Sequence, residues 1–415
     1  MVDSDRMASK TIAIAGAGLA GSLAALELAD RGNGVVLYDC ADAPLEGASF
    51  VNEGKIHLGY VYAADPSGRT ARKMLEGAFA FRPAICRWMD RKLFEATVTG
   101  PFDYAVPEGS QLPAGRIEEH FAKVTDLIAS LSAAGGDYLG LGKLPRYRPL
   151  KEHGYGSADQ RILAVYSTPE RAVDTHRIAE AIRGAVLSHP RIEFRPGQRV
   201  EKFSSDGRGW RVHTQTGGDG PYDTVVNAAW HNRRLVDRNS GFADSGSWFL
   251  RYKAAVLLPD RFDDLRNFTL MLGSYGDLVR YPSRRVYASW YPTMMLASTR
   301  EIELAIPVLS AGERNALIET SLRELSRFYP PLERFLGSAE IVSASLTGGH
   351  IVARGETDIA DRESRLHQRT DIGVFALDDG YFSLESGKYT TTPLFAKQAA
   401  DAISPPVSVH RSMRV

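Results

Sequence analysis

Cysteine, net charge and long apolar runs are scarce in this sequence, and each shortage excludes a class of protein. The 415 residues include two cysteines, too few for a disulfide framework or a cysteine-based metal site. Lys+Arg and Asp+Glu both number 50, so no overall positive field would attract nucleic acid. No run approaches the roughly 18 apolar residues of a membrane-spanning segment, and we expect a cytoplasmic protein. Zinc-ligand spacing, a Gly-x-Ser-x-Gly elbow and a Walker-type phosphate loop are also lacking, so no metal is predicted.

A strand, a glycine-rich turn and a helix stand near the start of the chain. Thr11 to Ala15 form an apolar run, Gly16, Gly18 and Gly21 follow at dinucleotide-binding spacing, and a second apolar run ends in Asp39. Gly16 permits the tight turn, Gly18 lets backbone approach a pyrophosphate, and Gly21 allows close packing of helix on strand. Asp39 is placed to accept hydrogen bonds from a ribose. The pattern predicts dinucleotide binding by Gly16, Gly18, Leu19, Ala20, Gly21 and Asp39.

Three further segments decide which dinucleotide is expected. Residues 49–60, 223–230 and 386–389 resemble the D-amino-acid-oxidase-like flavoprotein superfamily, which includes glycine and sarcosine oxidases and L-2-hydroxyglutarate dehydrogenase. They are similar to the family's segment beneath the flavin, to its Val-Val-Asn-Ala-Ala-Gly-Xaa-Trp strand and to its flavin-ring loop. The resemblance implies FAD as the cofactor. The cofactor-binding residues that it adds are Ser49, Asn52, Gly54, Val200, Ala228, Ala229, Trp230, Gly387, Lys388, Tyr389 and Thr390.

The third segment precedes a predicted helix start. Thr392 followed by Pro393 is typical of a helix that begins with Thr as N-cap and Pro at the first position. The resemblance puts this loop at the N1/O2 edge of the flavin, where Lys388 and the helix N-terminus would stabilise negative charge. An ordinary solvated turn at Gly387 and Lys388 is the alternative.

The sequence identifies the residues that bind the substrate less clearly than those that bind the cofactor. The resemblance places His57 near the isoalloxazine ring, in contact with substrate or covalently bonded to FAD, and a structural core histidine is the alternative. Arg280, Tyr281 and Arg354 are candidates for holding an anionic substrate, since Arg recognises carboxylate through two parallel hydrogen bonds, although structural arginines are common. Some relatives carry an oxygen-activating lysine where this chain has Ala288 or Ser289, so the electron acceptor, oxygen or another oxidant, stays open.

The predicted fold is α/β, with a discontinuous Rossmann-like FAD-binding domain and a mixed-sheet α+β substrate domain. A chain of 415 residues exceeds the size at which one core usually stops growing. The FAD-binding domain is predicted at 8–96, 167–235 and 346–405, and the substrate domain at 97–166 and 236–345. Segment 97–166, the first part of the substrate domain, is predicted to be irregular, with short strands between Gly and Pro residues. Cys40 is predicted to be buried beside the second strand.

These observations predict an FAD-dependent oxidoreductase. We expect it to oxidise the CH–NH bond of an amino acid or amine by hydride transfer to flavin N5, with a small anionic substrate. A 2-hydroxyacid dehydrogenase is the first alternative, because residues 52–59 resemble that relative and His57 could serve as the base that an alcohol requires. A non-catalytic FAD-binding protein is the second.

Overall fold

The computed structural model describes residues 9–243 and 246–406, which form strands and helices in mixed order. The strands are β1 (Thr11–Ala15), β2 (Gly34–Tyr38), β3 (Lys55–Ile56), β4 (Phe102–Pro107), β5 (Arg148–Pro149), β6 (Ile162–Thr168), β7 (Arg171–Ala172), β8 (Ile192–Arg195), β9 (Val200–Ser205), β10 (Trp210–Thr214), β11 (Gly217–Tyr222), β12 (Thr224–Asn227), β13 (Trp248–Pro259), β14 (Asn267–Leu270), β15 (Gly276–Tyr281), β16 (Arg285–Trp290), β17 (Met295–Thr299), β18 (Ser345–Arg354), β19 (Gly373–Asp378) and β20 (Tyr381–Glu385). The α-helices are α1 (Leu19–Asp30), α2 (Arg69–Ile85), α3 (Arg91–Glu95), α4 (Ala114–Ala133), α5 (Thr175–Ser188), α6 (Arg233–Asn239), α7 (Tyr291–Met294), α8 (Ala311–Phe328), α9 (Ala339–Val342) and α10 (Thr392–Ile403).

A six-stranded sheet in the order β19-β20-β12-β1-β2-β8 carries the glycine-rich turn. Its strands are parallel except β19, which runs antiparallel to β20. Ile12, Ala13 and Ile14 of β1 are fully buried, as expected for a central parallel strand covered on both faces. Helix α1 packs against α10 and α5 on this sheet. The predicted α/β class and the predicted strand, helix, strand unit are confirmed.

A nine-stranded mixed sheet forms the second half of the molecule. Its strands follow the order β17-β13-β16-β15-β14-β4-β6-β5, and β18 also pairs with β13. Of its strand pairs only β4 and β14 are parallel. One face packs on α8 over an apolar core that includes Leu278, Leu322 and Leu325. The other face looks toward the six-stranded sheet.

The predicted domain segments supply these sheets in turn. The six-stranded sheet takes its strands from 8–96, 167–235 and 346–405, and the nine-stranded sheet takes most of its strands from 97–166 and 236–345. Segments 8–96 and 167–235 also supply a separate three-stranded sheet, β11-β10-β9, and a two-stranded sheet, β3-β7. Strand β18 joins the nine-stranded sheet, because it pairs with β13 along its length, from Leu257↔Ser345 to Trp248↔Arg354. The boundary predicted at 345/346 therefore falls inside a strand of the nine-stranded sheet.

Two local predictions were wrong. Segment 97–166 contains the 20-residue helix α4, whose buried Ile117, Phe121, Val124 and Ile128 recur at helical spacing. The Gly and Pro residues that flank it suggested irregular structure, although the periodicity of the helix itself was present. Cys40 is exposed rather than buried, because the chain leaves the sheet directly after β2.

No helix of the described residues is long and apolar enough to cross a membrane.

Candidate active site

A cavity of about 570 Å³ lies between the two sheets and is lined by both. It opens at the carboxyl ends of β1, β2 and β12, where parallel sheets usually bind ligands. One end is formed by the glycine-rich turn and the residues after β2. The other end is formed by the face of the nine-stranded sheet and by the loops around His57 and Lys388.

The glycine-rich turn is shaped to admit a phosphate group. Gly16 has φ +97°, and a side chain at Gly21 would overlap the Gly16 carbonyl oxygen, so β1 and α1 meet backbone to backbone. A Cβ atom at Gly18 would meet only Ser49 Oγ, at 3.3 Å, and would point into the cavity. Gly18 is the N-cap of α1 and has no side chain to cap it. The Leu19 N–H bonds Ser49 Oγ at 2.8 Å, and the N–H groups that follow it in the first turn are left for an anion.

Asp39 lies at the same end of the cavity as the glycine-rich turn. Its carboxylate accepts hydrogen bonds from Ala17 N at 2.6 Å and Ala41 N at 2.9 Å, so the side chain is fixed at the mouth of the cavity. Each oxygen retains a lone pair for a hydroxyl donor. The donors and acceptors present here therefore fit a pyrophosphate followed by a ribose.

Most of the predicted cofactor-binding residues line the cavity, and three do not. Thr390 lies behind the wall, where its Oγ1 accepts from His57 N at 2.9 Å and donates to the Lys55 carbonyl at 3.0 Å. Gly54 has φ +66°, and a side chain there would overlap the Val173 carbonyl. These two residues and Gly21 shape the wall instead of contacting the cavity. The residues that line it are Gly16, Gly18, Leu19, Ala20, Asp39, Ser49, Asn52, Val200, Ala228, Ala229, Trp230, Gly387, Lys388 and Tyr389.

His57 lines the cavity beside a buried carboxylate. It is 4% exposed, and its Nδ1 lies 3.4 Å from Glu170 Oε1. Glu170 is itself fixed by the Leu58 N–H at 2.6 Å and by the Tyr104 hydroxyl. Burial lowers the pKa of His57 from its ordinary value of 6.5, although Glu170 acts in the opposite direction. The arrangement keeps a neutral imidazole with Nε2 free for a molecule in the cavity.

Lys388 faces the cavity beside Glu53. Burial lowers the pKa of Lys388 to about 8, although Glu53 opposes the shift. Burial alone would raise the pKa of Glu53, but Lys388, Lys55 and Lys253 outweigh it and hold that pKa at about 2. Helix α10 behind this loop begins at Thr392, one residue before the predicted start, with Thr391 in the N-cap position and no side-chain cap.

The three residues predicted to hold an anionic substrate do not line the cavity. Arg280 pairs with Asp260 and, at 2.7 Å, with Asp263. It stands three residues after Asp277, which faces the cavity, and therefore projects from the opposite face of β15. Tyr281 is buried with its hydroxyl 3.3 Å from the carbonyl of residue 52. Arg354 ends β18 and pairs with Asp371 at 3.1 Å.

Other basic residues line the cavity instead. Arg251, Lys253 and Arg369 line the cavity together with Lys55 and the Tyr291 hydroxyl. Arg251 and Lys253 are two residues apart in β13 and therefore lie on the same face of the strand. This spacing was visible in the sequence. Arg369 lies in the irregular stretch before β19, where no periodicity marks it.

Comparison with known proteins identifies the family. The sequence model of the family described as FAD dependent oxidoreductase matches residues 11–401. The chain belongs to this family. Its members use FAD, so the expected cofactor and the expected enzyme class are confirmed. No curated protein sequence matches the chain.

Solved structures of family members share the fold. Glycine oxidase from Geobacillus kaustophilus superposes with a TM-score of 0.66 at 16% identity, over 97% of this chain and 96% of that one. Iminodiacetate oxidase from Chelativorans sp. BNC1 gives 0.62 at 15% identity, over 96% of both chains. FAD-bound L-alpha-glycerophosphate oxidase from Mycoplasma pneumoniae gives 0.59 at 14% identity, over 95% of this chain and 94% of that one. The two-sheet architecture is therefore that of the family.

Proposed function

We propose that this family member oxidises the CH–NH bond of an anionic amino acid or amine. The observation that carries the proposal is the basic end of the cavity, where Arg251, Arg369 and Lys253 surround a space that His57 and Lys388 also reach. Buried cations of this kind attract a carboxylate and orient it through charge-assisted hydrogen bonds. A carboxylate fixed there presents its neighbouring carbon to the middle of the cavity.

The assignment of FAD to the cavity follows from its nucleotide end. The turn at Gly16 and Gly18 would hold the pyrophosphate against the start of α1, and Asp39 would hold the ribose. Gly387, Lys388 and Tyr389 would lie beside the ring. When bound, FAD supplies the hydride acceptor at N5. A complete turnover also requires an electron acceptor, oxygen or another oxidant.

The chain contributes positioning, charge and a dry environment. The basic residues bind and orient the substrate's acid group, and the buried aromatic wall, which includes Tyr62 and Tyr287, limits the access of water. A neutral amine needs no strong base, because its nitrogen lone pair forms the C=N bond as the hydride leaves. The cation of Lys388 favours the negative charge that reduction places nearby.

A 2-hydroxyacid is the second candidate substrate, and the pairing of His57 with Glu170 favours it. Oxidation of an alcohol breaks an O–H bond as well as a C–H bond, so a base must take the hydroxyl proton. His57 lines the cavity, burial lowers its pKa so that the neutral form is favoured, and Glu170 Oε1 lies 3.4 Å from its Nδ1. The same cavity would then hold the hydroxy acid by its carboxylate.

Anaerobic reduction of the bound flavin separates these proposals. The purified holoprotein is mixed with matched pairs of amino and hydroxy acids of equal chain length, and the loss of visible flavin absorbance is followed. Bleaching by amino acids alone supports the first proposal, and bleaching by hydroxy acids alone supports the second. If no donor of either kind bleaches a flavin that dithionite reduces, both fail and a non-catalytic FAD-binding protein is favoured.

Lys388→Met is expected to slow flavin reduction while leaving FAD bound. The Lys388 cation is present below its pKa of about 8 and is lost as the pH rises through that value. The wild-type reduction rate should therefore fall as the pH rises through about 8, and the variant should lack this step. Stopped-flow traces between pH 6.5 and 9.5, roughly, measure both effects. Lys397→Met, which removes an exposed lysine paired with Asp401, is the control, and equal profiles for Lys388→Met and wild type would remove Lys388 from the site.

A further inference from the structure

Two buried arginines in the cavity lack a full set of partners. Arg251 is 2% exposed and Arg369 is 7% exposed, and the Nε atom of each has no hydrogen-bond partner among the described residues. Arg251 Nη1 bonds Tyr291 Oη at 2.8 Å, and its nearest carboxylate is Asp358, 3.9 Å away. Arg369 has no ion pair in the described part of the chain. Both guanidinium groups therefore keep buried donors that no described residue satisfies.

A second group of cations stands further along the same strand. Lys253 follows Arg251 by two residues in β13, so both project from one face at Cα positions about 7 Å apart. Lys253 Nζ lies 3.8 Å from Asp277 Oδ1, and Lys55 Nζ lies 3.6 Å from Asp277 Oδ2. The two ammonium groups thus share this carboxylate, and both lie beyond ordinary hydrogen-bonding distance from it.

Other buried carboxylates nearby are shared among several cations. Glu53 interacts with Lys388, Lys55 and Lys253. Glu170 interacts with His57 and Lys55, and Glu385, near Arg369, pairs with Arg233. None of them supplies an acceptor for the Nε atoms of Arg251 and Arg369, and Lys253 Nζ is 3.8 Å from Asp277 Oδ1. A buried donor without a partner is unfavourable, and a bound anion relieves it, so each group can receive a carboxylate.

We propose that the substrate is a dicarboxylate whose two acid groups are separated by a short carbon chain. One carboxylate binds Arg251, Arg369 and the Tyr291 hydroxyl, and the other binds Lys253 and Lys55. This proposal rests on the proposed function and names its substrate class. The carbon to be oxidised lies beside one of the two carboxylates, within reach of His57.

The test compares donors that differ by a single charge. Glutamate and 2-hydroxyglutarate are compared with glutamine, norvaline and 2-hydroxypentanoate in anaerobic reduction of the wild-type holoprotein. We expect the dicarboxylate of the reactive class to have a reduction efficiency at least about tenfold above its monocarboxylate counterparts. Equal efficiencies for glutamate and norvaline, or for the corresponding hydroxy acids, would overturn the dicarboxylate and leave the proposed function standing. If no donor reduces the flavin, the proposed function fails.

Binding of unreactive acids gives an independent measurement. Glutarate has both carboxylates but no amine or hydroxyl, and glutaramate replaces one carboxylate with an amide. Titration of the oxidised flavin spectrum should show glutarate binding about tenfold more tightly. Failure of glutarate to bind better than glutaramate overturns the proposal even if neither donor class is turned over.

Variants of Lys253 test where the second carboxylate binds. Lys253→Met should reduce the glutarate preference about tenfold, and Lys253→Arg should preserve it because the charge remains. Lys397→Met is the matched control at an exposed position, and FAD content together with thermal unfolding checks that each variant is folded. A glutarate preference that Lys253→Met leaves intact would remove the lysine subsite.

Discussion

Replacing Gly18 with valine is expected to give a folded protein that retains almost no FAD. Gly18 has φ −64° and ψ −178°, an extended conformation that valine adopts without strain. A Cβ atom there would meet only Ser49 Oγ, at 3.3 Å, and would point into the cavity, so we expect the fold to tolerate the side chain. It would occupy the space in front of the α1 N-terminus, where the pyrophosphate is proposed to lie. The loss of a good N-cap residue costs about 1 kcal/mol, which does not unfold a domain.

The measurement is the ratio of FAD to protein after purification, with circular dichroism as a check on folding. The ratio should fall from stoichiometric to trace, and Gly18→Ala should give an intermediate value. Gly21→Val is the contrasting variant, because a side chain there overlaps the Gly16 carbonyl and should reduce the yield of folded protein itself. Stoichiometric FAD in Gly18→Val would refute the assignment of the turn to the pyrophosphate.

His57→Gln is expected to separate alcohol from amine oxidation. If the substrate is a 2-hydroxyacid, loss of the base should lower the reduction rate constant by about 10² to 10⁴. If it is a neutral amine, the fall should be far smaller, since no base is required. Stopped-flow reduction with the best donor measures the difference. His213→Gln is the control, because His213 bonds Ser204 Oγ at 2.7 Å on the separate three-stranded sheet of β9, β10 and β11, and neither residue lines the cavity.

The pH profile tests the role of Glu170 as the residue that positions His57. The pKa of His57 is lowered from 6.5, so the imidazole is neutral and can act as a base at neutral pH. It becomes protonated, and the base is lost, only as the pH falls below 6.5. Glu170 raises the pKa of His57, so Glu170→Gln should move the acid limb of the hydroxyacid profile to lower pH. A variant with a lower rate but an unshifted limb would indicate a purely structural role for Glu170.

The cofactor half of the site was predictable because its requirements are local. Gly16 needs a positive φ, Gly21 needs room for the Gly16 carbonyl, and Asp39 ends the next strand, all within about 30 residues of sequence. The separate loops at 49–60 and 386–389 were found by resemblance. They line the cavity together, although no pattern within either segment says that they meet.

The substrate half depends on register and long-range pairing. Arg280 was predicted at the site and Arg251 was not, because the face of a strand that points inward is set by its pairing in the nine-stranded sheet. Arg251 and Asp277 face the cavity, whereas Arg280 faces Asp260. Glu170 reaches the loop of His57 across 112 residues of sequence, and it belongs to no recognisable motif. Sequence periodicity contains no information about such a contact.

The interleaved order of the six-stranded sheet also governs how the protein is made. The N–H of Thr11, the first residue of β1, bonds the side chain of Asp223, which precedes β12, across 212 residues of sequence. Thr390 bonds the Lys55 carbonyl across 335 residues. At ribosomal rates, β1 and β2 wait roughly 10 to 40 s for β12 to be synthesised. During that time β1 has an unpaired edge that invites pairing with other chains. Cofactor capture is consequently a late event in biogenesis, and the yield of holoprotein depends on how well the nascent first strands are shielded.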